Sequence, residues 1–334
     1  HTNVLNIIQL QTPGFEIFDD IANGSDPNKI PDMVLRGRSS FIEGDQTNVP
    51  LFILDGTEVD ISYVFDMPSD DIESISVLKD ASATSFYGSK AANGVIVVET
   101  VKPEAGKLQV SYTGNMNLSM PDLSSYNLMN AREKLEFERL AGRYEPVNWS
   151  TTNEIELTNL YNEKLKVIES GVDTYWLAEP LRVGVNQKHS LYVQGGEGNF
   201  LFGLGAGYNG ISGVMEESDR AVMSGNIDLI YRVSKFQFSN KFSFSSTDYK
   251  NPIVAFYEYA QANPYYKKRN PDGTVEKWLE NNDFFEAPNP LWNASQNSRD
   301  EGKNLALSNY FIAEYFPTQE WRVRARIGLT YGND

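Results

Sequence analysis

The sequence contains no cysteine and only two histidines, one of which is residue 1. A disulfide framework and a thiolate metal site are therefore excluded, and a histidine zinc site or a Ser-His-Asp triad would depend on His189 alone. Basic residues are also scarce, because 29 Lys and Arg stand against 45 Asp and Glu, a formal net charge of −16. Binding to nucleic acid needs a basic face, so this balance argues against that class of protein.

Long apolar runs are missing as well. No segment approaches the roughly 18 consecutive apolar residues that a membrane-spanning helix needs, which argues against a helical membrane protein. Spanning β-strands are shorter and alternate in polarity, so they are not excluded. The chain does contain 18 Tyr, 18 Phe and 25 Gly in 334 residues. That mixture favours β-structure over helical bundles.

Residues 1–103 predict a small unit of mixed α and β structure, with 6 basic and 16 acidic side chains. A helical pattern starts at Val4, and two apolar runs at 51–54 and 95–98 predict buried strands. The turn signal Asp55-Gly56 follows the first of these strands. The other predicted elements are a strand at 33–37, a helical turn near Ile72, a short apolar run at 75–78 and a short helix at 80–84.

Residues 104–334 alternate between apolar and polar side chains with a period of two, which is typical of β-strands. The clearest segment is 321–331, where Trp321, Val323 and Ile327 share one face and three arginines occupy the other. Together the alternating segments predict about seven strands, each near the length that crosses a bilayer. They lie at 108–118, 189–196, 199–209, 221–233, 235–245, 304–316 and 321–331.

Alternation by itself leaves two alternatives open, because the strands of a soluble β-sandwich also alternate. Two features favour an outer-membrane barrel. Phe, Tyr and Trp lie on the apolar faces and at strand ends, as in an aromatic girdle. The connection at 233–235 is tight, whereas those at 119–187 and 247–303 are long, which fits short turns on one rim and long loops on the other.

The two long connections have different compositions. Leucines at helical spacing predict a helical insertion at about 125–170. The second connection, at about 247–303, is rich in aromatic residues that are candidates for stacking on a sugar or packing on a partner. These are Tyr257, Tyr265, Tyr266 and Trp278. The same side chains would equally suit packing against each other inside the loop.

No catalytic motif is present: HExxH, GxSxG and the Walker A pattern are all absent. The sequence therefore predicts no enzyme, no cofactor and no metal site. Gly205, Gly207 and Gly210 spell GxGxxG, but no helical pattern follows them. A strand with a bare face, approached closely by another part of the protein, is the better interpretation. His189 is expected in a solvated loop before a strand.

Three segments of the front part follow one another in a specific order: Leu35–Ser40 (LRGRSS), Pro50–Gly56 (PLFILDG) and Asp71–Ile96 (DIESISVLKDASATSFYGSKAANGVI). In this order they resemble the plug of the SusC/RagA family of TonB-dependent outer-membrane transporters. Asn289-Pro290-Leu291 and the strands after 303 also resemble the early barrel of that family. The motif residues are Arg36, Gly37, Arg38, Asp55, Gly56, Lys79, Asp80, Tyr87, Gly88, Ala91, Asn93 and Gly94.

The resemblance implies an α+β plug domain at 1–103, followed by antiparallel transmembrane β-barrel strands at 104–334. The helical loop insertion at about 125–170 and the long loop at about 247–303 belong to the second part. Such transporters have about twenty-two strands around a plugged lumen. About seven strands therefore imply an incomplete barrel, and the sequence is expected to start inside the plug, after the TonB box.

The resemblance also implies a function. It is TonB-dependent import of an oligomeric nutrient, glycan first and peptide second, across the outer membrane of a Gram-negative bacterium. The implied partners are a SusD-like surface lipoprotein that serves as a lid, the TonB complex, the oligosaccharide or peptide substrate, and outer-membrane lipid. In related transporters plug arginines lock against barrel carboxylates, and Arg36 or Arg38 would match that role.

Side-chain polarity predicts which strand face meets lipid. An arginine on the lipid face at the bilayer midplane costs roughly 2–4 kcal/mol, so Arg322, Arg324 and Arg326 are expected to point inward, toward the acidic plug. Lys241 and the glycine face at 203–207 are expected to point inward as well. The residues expected to face lipid are Phe236, Phe238, Phe242, Phe244, Trp321, Val323, Ile327 and Leu329.

Two other classes of protein stay open on the sequence. One is a soluble or surface β-rich carbohydrate-binding protein or enzyme without transport activity, which would need no further strands. The other is a receptor of the same fold that binds its ligand without importing it.

Overall fold

The computed structural model describes residues 4–17, 26–31, 33–35, 49–67, 71–79, 85–146 and 151–333. The front part is built from short elements around a four-stranded sheet. They are α1 (Val4–Gln11), β1 (Glu16–Ile17), β2 (Met33–Val34), β3 (Leu51–Leu54), β4 (Thr57–Val59), α2 (Ile61–Asp66), β5 (Ile72–Leu78) and β6 (Val95–Thr100).

Helix α1 forms where the sequence predicts it, because Val4, Leu5 and Ile8 recur on one face and are at most 1% exposed. The helix is followed by Thr12-Pro13-Gly14, and Gly14 adopts a positive φ of 82°, a conformation that glycine reaches without steric cost. The buried face of α1 packs with Phe52, Ile96 and their neighbours in one core.

The small sheet has the strand order β4-β3-β6-β5, and β3 pairs parallel to β6 while the other neighbours are antiparallel. The β-branched run Val95–Val98 occupies an interior strand, as its composition favours. The helical turn expected near Ile72 does not extend to that residue: Asp71 is the end of a 3-10 turn, whereas Ile72 begins β5 and pairs with Thr100. The short helix expected at 80–84 lies outside the described residues.

A large antiparallel sheet and two long connections make up the rest of the chain. In chain order the elements are β7 (Gly106–Ser119), α3 (Ala131–Leu140), α4 (Thr151–Glu169), β8 (Gly184–Glu197), β9 (Phe200–Ser212), β10 (Asp219–Val233), β11 (Phe236–Asn251), α5 (Phe256–Gln261), β12 (Trp278–Asn281), β13 (Glu286–Pro288), α6 (Pro290–Ala294), β14 (Asp300–Tyr315) and β15 (Val323–Asn333). Seven of the strands form one sheet in the order β15-β14-β11-β10-β9-β8-β7, which we call the strand wall.

Connection lengths differ between the two rims of the strand wall. On one rim β10 turns into β11 at Ser234-Lys235, where Ser234 has a φ of 51°. On the opposite rim residues 120–183 and 252–299 form long excursions. The second loop is shorter than the expected 247–303, because Thr247 to Asn251 pair with Asn304 to Asp300 and lengthen the hairpin.

The two faces of the strand wall divide as the alternation predicts. Lys241 and Arg326 point toward the small sheet, where both contact Asp55. The opposite face carries exposed apolar side chains, including Ile327 at 68% and Leu329 at 73% exposure. The inward assignment of Lys241 and Arg326 is thereby confirmed.

Two sequence expectations about β8 and β9 have different outcomes. The bare face of β9 is real: a Cβ on Gly205 would collide with Asn226, and one on Gly203 would collide with Tyr192 and touch Pro103. The loop position expected for His189 is wrong. His189 lies within β8 opposite Gly114, and its Nδ1 is 2.7 Å from the Tyr112 hydroxyl on an exposed face.

The long connections fold together above one rim of the strand wall, in a unit that we call the loop cluster (120–183, 213–218 and 252–299). It contains α3 to α6 and a core of ten buried residues. None of the described helices is both long and apolar enough to cross a membrane. The core residues are Ala131, Leu135, Trp176, Leu177, Met215, Val254, Phe256, Tyr259, Tyr265 and Tyr266.

Candidate functional site: the contact between the small sheet and the strand wall

The turn between β3 and β4 projects from the small sheet toward the strand wall. Asp55 and Gly56 have φ angles of 47° and 81°, so both central residues of this two-residue hairpin lie in the left-handed region that Asp-Gly pairs tolerate. The Asp55 carboxylate accepts hydrogen bonds from the Thr100 amide at 2.9 Å and from the Thr100 hydroxyl at 2.8 Å. These bonds tie the turn to β6 and hold the carboxylate in place.

Two cations of the strand wall meet this turn. The Lys241 ammonium lies 2.7 Å from Asp55 Oδ2 and also donates to the Thr100 hydroxyl. The Arg326 guanidinium donates to the Asp55 carbonyl oxygen at 2.5 Å. The Lys241 and Asp55 side chains are 18% and 19% exposed, so water screens the ion pair much less than it screens a surface pair.

The environment of Asp55 favours its charged form. Burial raises the pKa of the carboxyl, but attraction to Lys241 and the hydrogen bonds from Lys241 and Thr100 outweigh it and hold the pKa below the ordinary value of 3.8. The contact therefore contributes fully above pH 3.8, and this contribution is lost as the pH falls through the lower, folded-state pKa.

We expect the small sheet to stay docked on the strand wall at neutral pH and to loosen on strong acidification. Protection of residues 51–100 from protease, measured against pH in the full-length protein, tests this. Asp55→Asn should start from weaker protection and lose less of it in acid, because it has no carboxyl to titrate. Protection that instead fell on raising the pH toward neutrality would contradict the assignment.

Gly56 is a second point of close approach. A Cβ at this position would lie 3.2 Å from Arg326 Nη1, and the backbone φ of 81° is unfavourable for other residues. Gly56→Ala is therefore expected to weaken docking by about 1–3 kcal/mol, since it adds backbone strain and displaces the guanidinium.

Gly14→Ala is the matched control for Gly56→Ala. Gly14 has a φ of 82°, but its Cβ would meet its nearest atom at 3.7 Å, an ordinary contact. Protease protection of 51–100 should fall clearly more in Gly56→Ala than in Gly14→Ala. Equal loss in the two variants would assign the effect to backbone strain alone.

A second group of contacts joins the front part to the rim that carries the long loops. The Asn28 side-chain amide lies within donor distance of the carbonyl oxygens of Asp219 (3.2 Å) and Lys250 (2.8 Å), and of Asn251 Oδ1 at 2.9 Å. The Ser218 hydroxyl donates to Asp26 at 3.1 Å. This anchor bridges β10 and β11 at the base of the loop cluster.

Between the two anchors the interface contains a hydrogen bond and a cavity lined by both polar and apolar side chains. The Tyr63 hydroxyl donates to Ser243 Oγ at 3.1 Å. A cavity of about 270 Å³ lies beside it, lined by Tyr63, Thr100, Ser190, Tyr192, Asn226, Lys241 and other residues. A cavity with this many polar groups has both the room and the partners to hold several waters. The small sheet thus rests on the strand wall through polar and ionic contacts more than through an apolar core.

The motif residues predicted from the sequence do not form one site. Asp55 and Gly56 meet the strand wall, whereas the other described motif residues shape the front part itself. Ala91 is 1% exposed and packs with Ile53 and Val95, and a Cβ on Gly94 would collide with Leu35. Lys79 donates to the Pro13 carbonyl oxygen. Arg36, Gly37, Arg38 and Asp80 lie outside the described residues.

The three arginines at the end of the chain have different partners. Arg326 reaches the Asp55 turn, but Arg324 and Arg322 lie 2.8 Å and 3.7 Å from Glu314 on β14. Arg324 lies two residues from Arg326 on β15 and therefore shares its inward face, as expected. The expected acidic partner differs, because Arg324 and Arg322 meet a carboxylate of the neighbouring wall strand instead of one on the front part.

The aromatic residues of the long loop also separate into two groups. Tyr265 and Tyr266 are 2% and 8% exposed, and they belong to the core of the loop cluster. Tyr257 is 48% exposed and Trp278 is partly exposed. Burial favours the packing alternative for Tyr265 and Tyr266. Contact with a substrate or lid remains a prediction, for which Tyr257 and Trp278 have the accessible surface.

Buried charges organise the loop cluster, and alternation in the sequence gave no signal for them. Glu138 accepts hydrogen bonds from the hydroxyls of Tyr265 and Tyr144 at 2.8 Å and 3.0 Å. Lys164 lies 2.7 Å from Glu280, with both side chains under 10% exposed. Burial lowers the pKa of Lys164, and the hydrogen bond and attraction from Glu280 oppose that effect.

Known proteins combine a front part and a strand wall of the kind described here. The family model described as "TonB-dependent Receptor Plug Domain" matches residues 1–95, which include the Asp55-Gly56 turn. The TonB-dependent receptor SusC of Bacteroides thetaiotaomicron is 25% identical over 321 residues, which cover 91% of this chain and 29% of SusC. Over nearly its whole length the chain is therefore similar to a TonB-dependent receptor of the SusC type. Its front part is a plug, and the strand wall corresponds to barrel strands.

Another receptor and a solved structure show the same similarity. The TonB-dependent receptor P26 of Formosa agariphila is 23% identical over 297 residues, covering 86% of this chain and 28% of P26. A solved structure of the RagAB peptide importer in its open-open state matches with a TM-score of 0.74 at 20% identity. The match covers 99% of this chain and 38% of the matched chain in the RagAB structure. The likeness extends over both plug and strand wall, and the chain spans less than a third of the two receptors.

Proposed function

We propose that the protein imports an oligomeric nutrient across the outer membrane of a Gram-negative bacterium, using energy supplied by the TonB complex. The observation that carries the proposal is the polar contact between the plug turn at Asp55-Gly56 and the wall cations Lys241 and Arg326. A contact of this kind closes a lumen at rest, yet it can separate into hydrated groups when the plug is pulled. An apolar interface of the same size would resist separation more strongly.

The relatives support this proposal and narrow its partners. SusC, P26 and other related proteins bear the name TonB-dependent receptor, and RagAB is described as a peptide importer. We therefore propose a SusD-like surface lipoprotein as a lid, with a glycan as the first candidate substrate and a peptide as the second. We also propose that the protein is a transporter without enzymatic activity.

Uptake by cells that produce the full-length protein tests the function. Labelled oligosaccharides and labelled oligopeptides are offered separately, in strains with and without TonB. We expect accumulation of one class that requires both the protein and TonB. Binding at the cell surface without TonB-dependent accumulation would instead indicate a receptor that does not transport.

The accessible aromatic residues of the loop cluster provide a prediction about recognition. Replacing Tyr257 and Trp278 together with Ala should lower uptake or lid affinity several-fold, because exposed aromatic rings stack on sugars and anchor interfaces. Phe137→Ala is the control, since Phe137 is 51% exposed on α3 and should leave uptake unchanged. Equal uptake by the double variant and the wild-type protein would assign Tyr257 and Trp278 to loop packing.

A further inference from the structure

Lys241 has a second carboxylate within reach besides the one on the plug. Asp228 Oδ1 lies 3.9 Å from the Lys241 ammonium, and the two residues face each other directly across β10 and β11. The Asp228 side chain is 11% exposed, and Asn226 donates to its other oxygen at 3.2 Å. Lys241 therefore lies between a plug carboxylate at 2.7 Å and a wall carboxylate at 3.9 Å.

The other members of the contact also have partners on their own side. Within the plug, Asp55 keeps both hydrogen bonds from Thr100. On the wall, the Arg326 guanidinium lies over the Tyr310 ring at 4.6 Å. When plug and wall separate, Asp55 thus keeps its hydrogen bonds from Thr100 within the plug, and Arg326 keeps its contact with the Tyr310 ring within the wall.

We propose that Lys241 exchanges Asp55 for Asp228 when the plug leaves the wall, so that Asp228 makes the ionic contact reversible. The biological role of this exchange rests on the proposed function, in which the plug moves during import. The exchange of partners itself depends only on the contact between plug and wall. At the start of separation, before water fills the gap, an ammonium that has lost its partner is an uncompensated buried charge, and that situation is strongly unfavourable. A second carboxylate directly across the strand pair prevents this outcome for Lys241.

The role of Asp228 can be told apart from a purely structural one by the sign of its effect. Asp228 stabilises the separated state, in which Lys241 has lost Asp55. In the seated state the Asp228 carboxylate also repels that of Asp55, because both lie around the same ammonium. Removing the charge of Asp228 therefore disfavours the separated state and favours the state in which the plug contacts the wall. A structural defect in the wall would loosen the plug instead.

Force spectroscopy on the full-length protein tests the exchange, with a handle at the N-terminal end and the barrel held in a bilayer. We expect extraction of the plug from Asp228→Asn to be about tenfold slower than from the wild-type protein at the same force. Asp228→Glu, which keeps the charge, should restore the wild-type rate. Asp248→Asn is the matched control, because Asp248 is a wall carboxylate 3.2 Å from Lys303, with 53% of its side chain exposed.

The double variant Asp55→Asn/Asp228→Asn tests whether the effect of Asp228 depends on Asp55. Once Asp55→Asn removes the plug carboxylate, adding Asp228→Asn should no longer slow extraction. Extraction from Asp228→Asn that is equal to or faster than wild type, in a barrel that remains folded, would overturn the proposal. So would slowing of the same size in the Asp55→Asn background. Because extraction is measured without substrate or TonB, failure of the import function would leave these outcomes unaffected.

Discussion

Lys241→Met is expected to unseat the plug, with a loss of about 3–5 kcal/mol of docking free energy. The substitution leaves the Asp55 and Asp228 carboxylates around one site without their shared cation. Both carboxylates are largely buried, so water compensates the lost ammonium poorly. The resulting channel should conduct ions in planar bilayers, and cells carrying the full-length variant should become sensitive to large antibiotics that the outer membrane excludes.

Lys303→Met is the matched control for this experiment. Lys303 is also a wall lysine paired with a carboxylate, Asp248, but more than half of each side chain is exposed. Exposed pairs of this kind contribute little to stability. A bilayer that stays as tight with Lys241→Met as with Lys303→Met would show that the plug is held by other contacts, of which the Asn28 anchor would be the first to examine.

Glu138→Ala should produce the second large effect, a local opening of the loop cluster that leaves the strand wall intact. The Glu138 side chain is 5% exposed and lies 3.9 Å from Lys134 and 3.8 Å from Arg143. Its removal leaves the buried hydroxyl of Tyr265 without its acceptor and two cations without their carboxylate. We expect a local cost of about 3–5 kcal/mol, measured as faster hydrogen exchange in residues 256–294 with unchanged exchange in β8 to β11.

Glu136→Ala tests whether that effect belongs to Glu138. Glu136 lies on the same helix and pairs with Arg139 at 2.7 Å, with both side chains half exposed. Its removal should leave exchange in 256–294 close to wild type, since exposed pairs within one helix contribute little. Similar acceleration in both variants would indicate a general effect on α3 instead of the buried network.

Much of the fold follows from local sequence patterns. The period-two alternation from residue 108 onward specifies both the strands and their faces, because one-residue steps in an extended chain point to opposite sides. Boundaries were less accurate where pairing partners decide them. Thr247 to Asn251 have a loop-like composition, yet they extend β11 because Asp300 to Asn304 lie beside them.

The candidate site was only partly predictable. The Asp55-Gly56 pair identified a turn and belonged to a recognisable motif, and Lys241 and Arg326 were placed on the inward face by the cost of exposing a charge to lipid. That these residues meet could not be predicted, because Asp55 and Lys241 are 186 positions apart. Asn28 and Asp228 gave no signal at all, since single polar residues are common in turns and on inward strand faces.

By itself the sequence predicted the class of the protein, the order of plug and wall, and which side of the clearest strands carries the polar and charged side chains. These properties depend on local periodicity, on a contiguous motif and on the unfavourable transfer of charge into hydrocarbon, all of which can be evaluated without knowing distant neighbours. Only the tertiary structure decided that Tyr265 packs inside the loops, that Arg324 pairs with Glu314, and that Lys241 lies between two carboxylates. Each of these outcomes depends on which groups compete for the same partner over a few ångströms, and that competition exists only once the chain has folded.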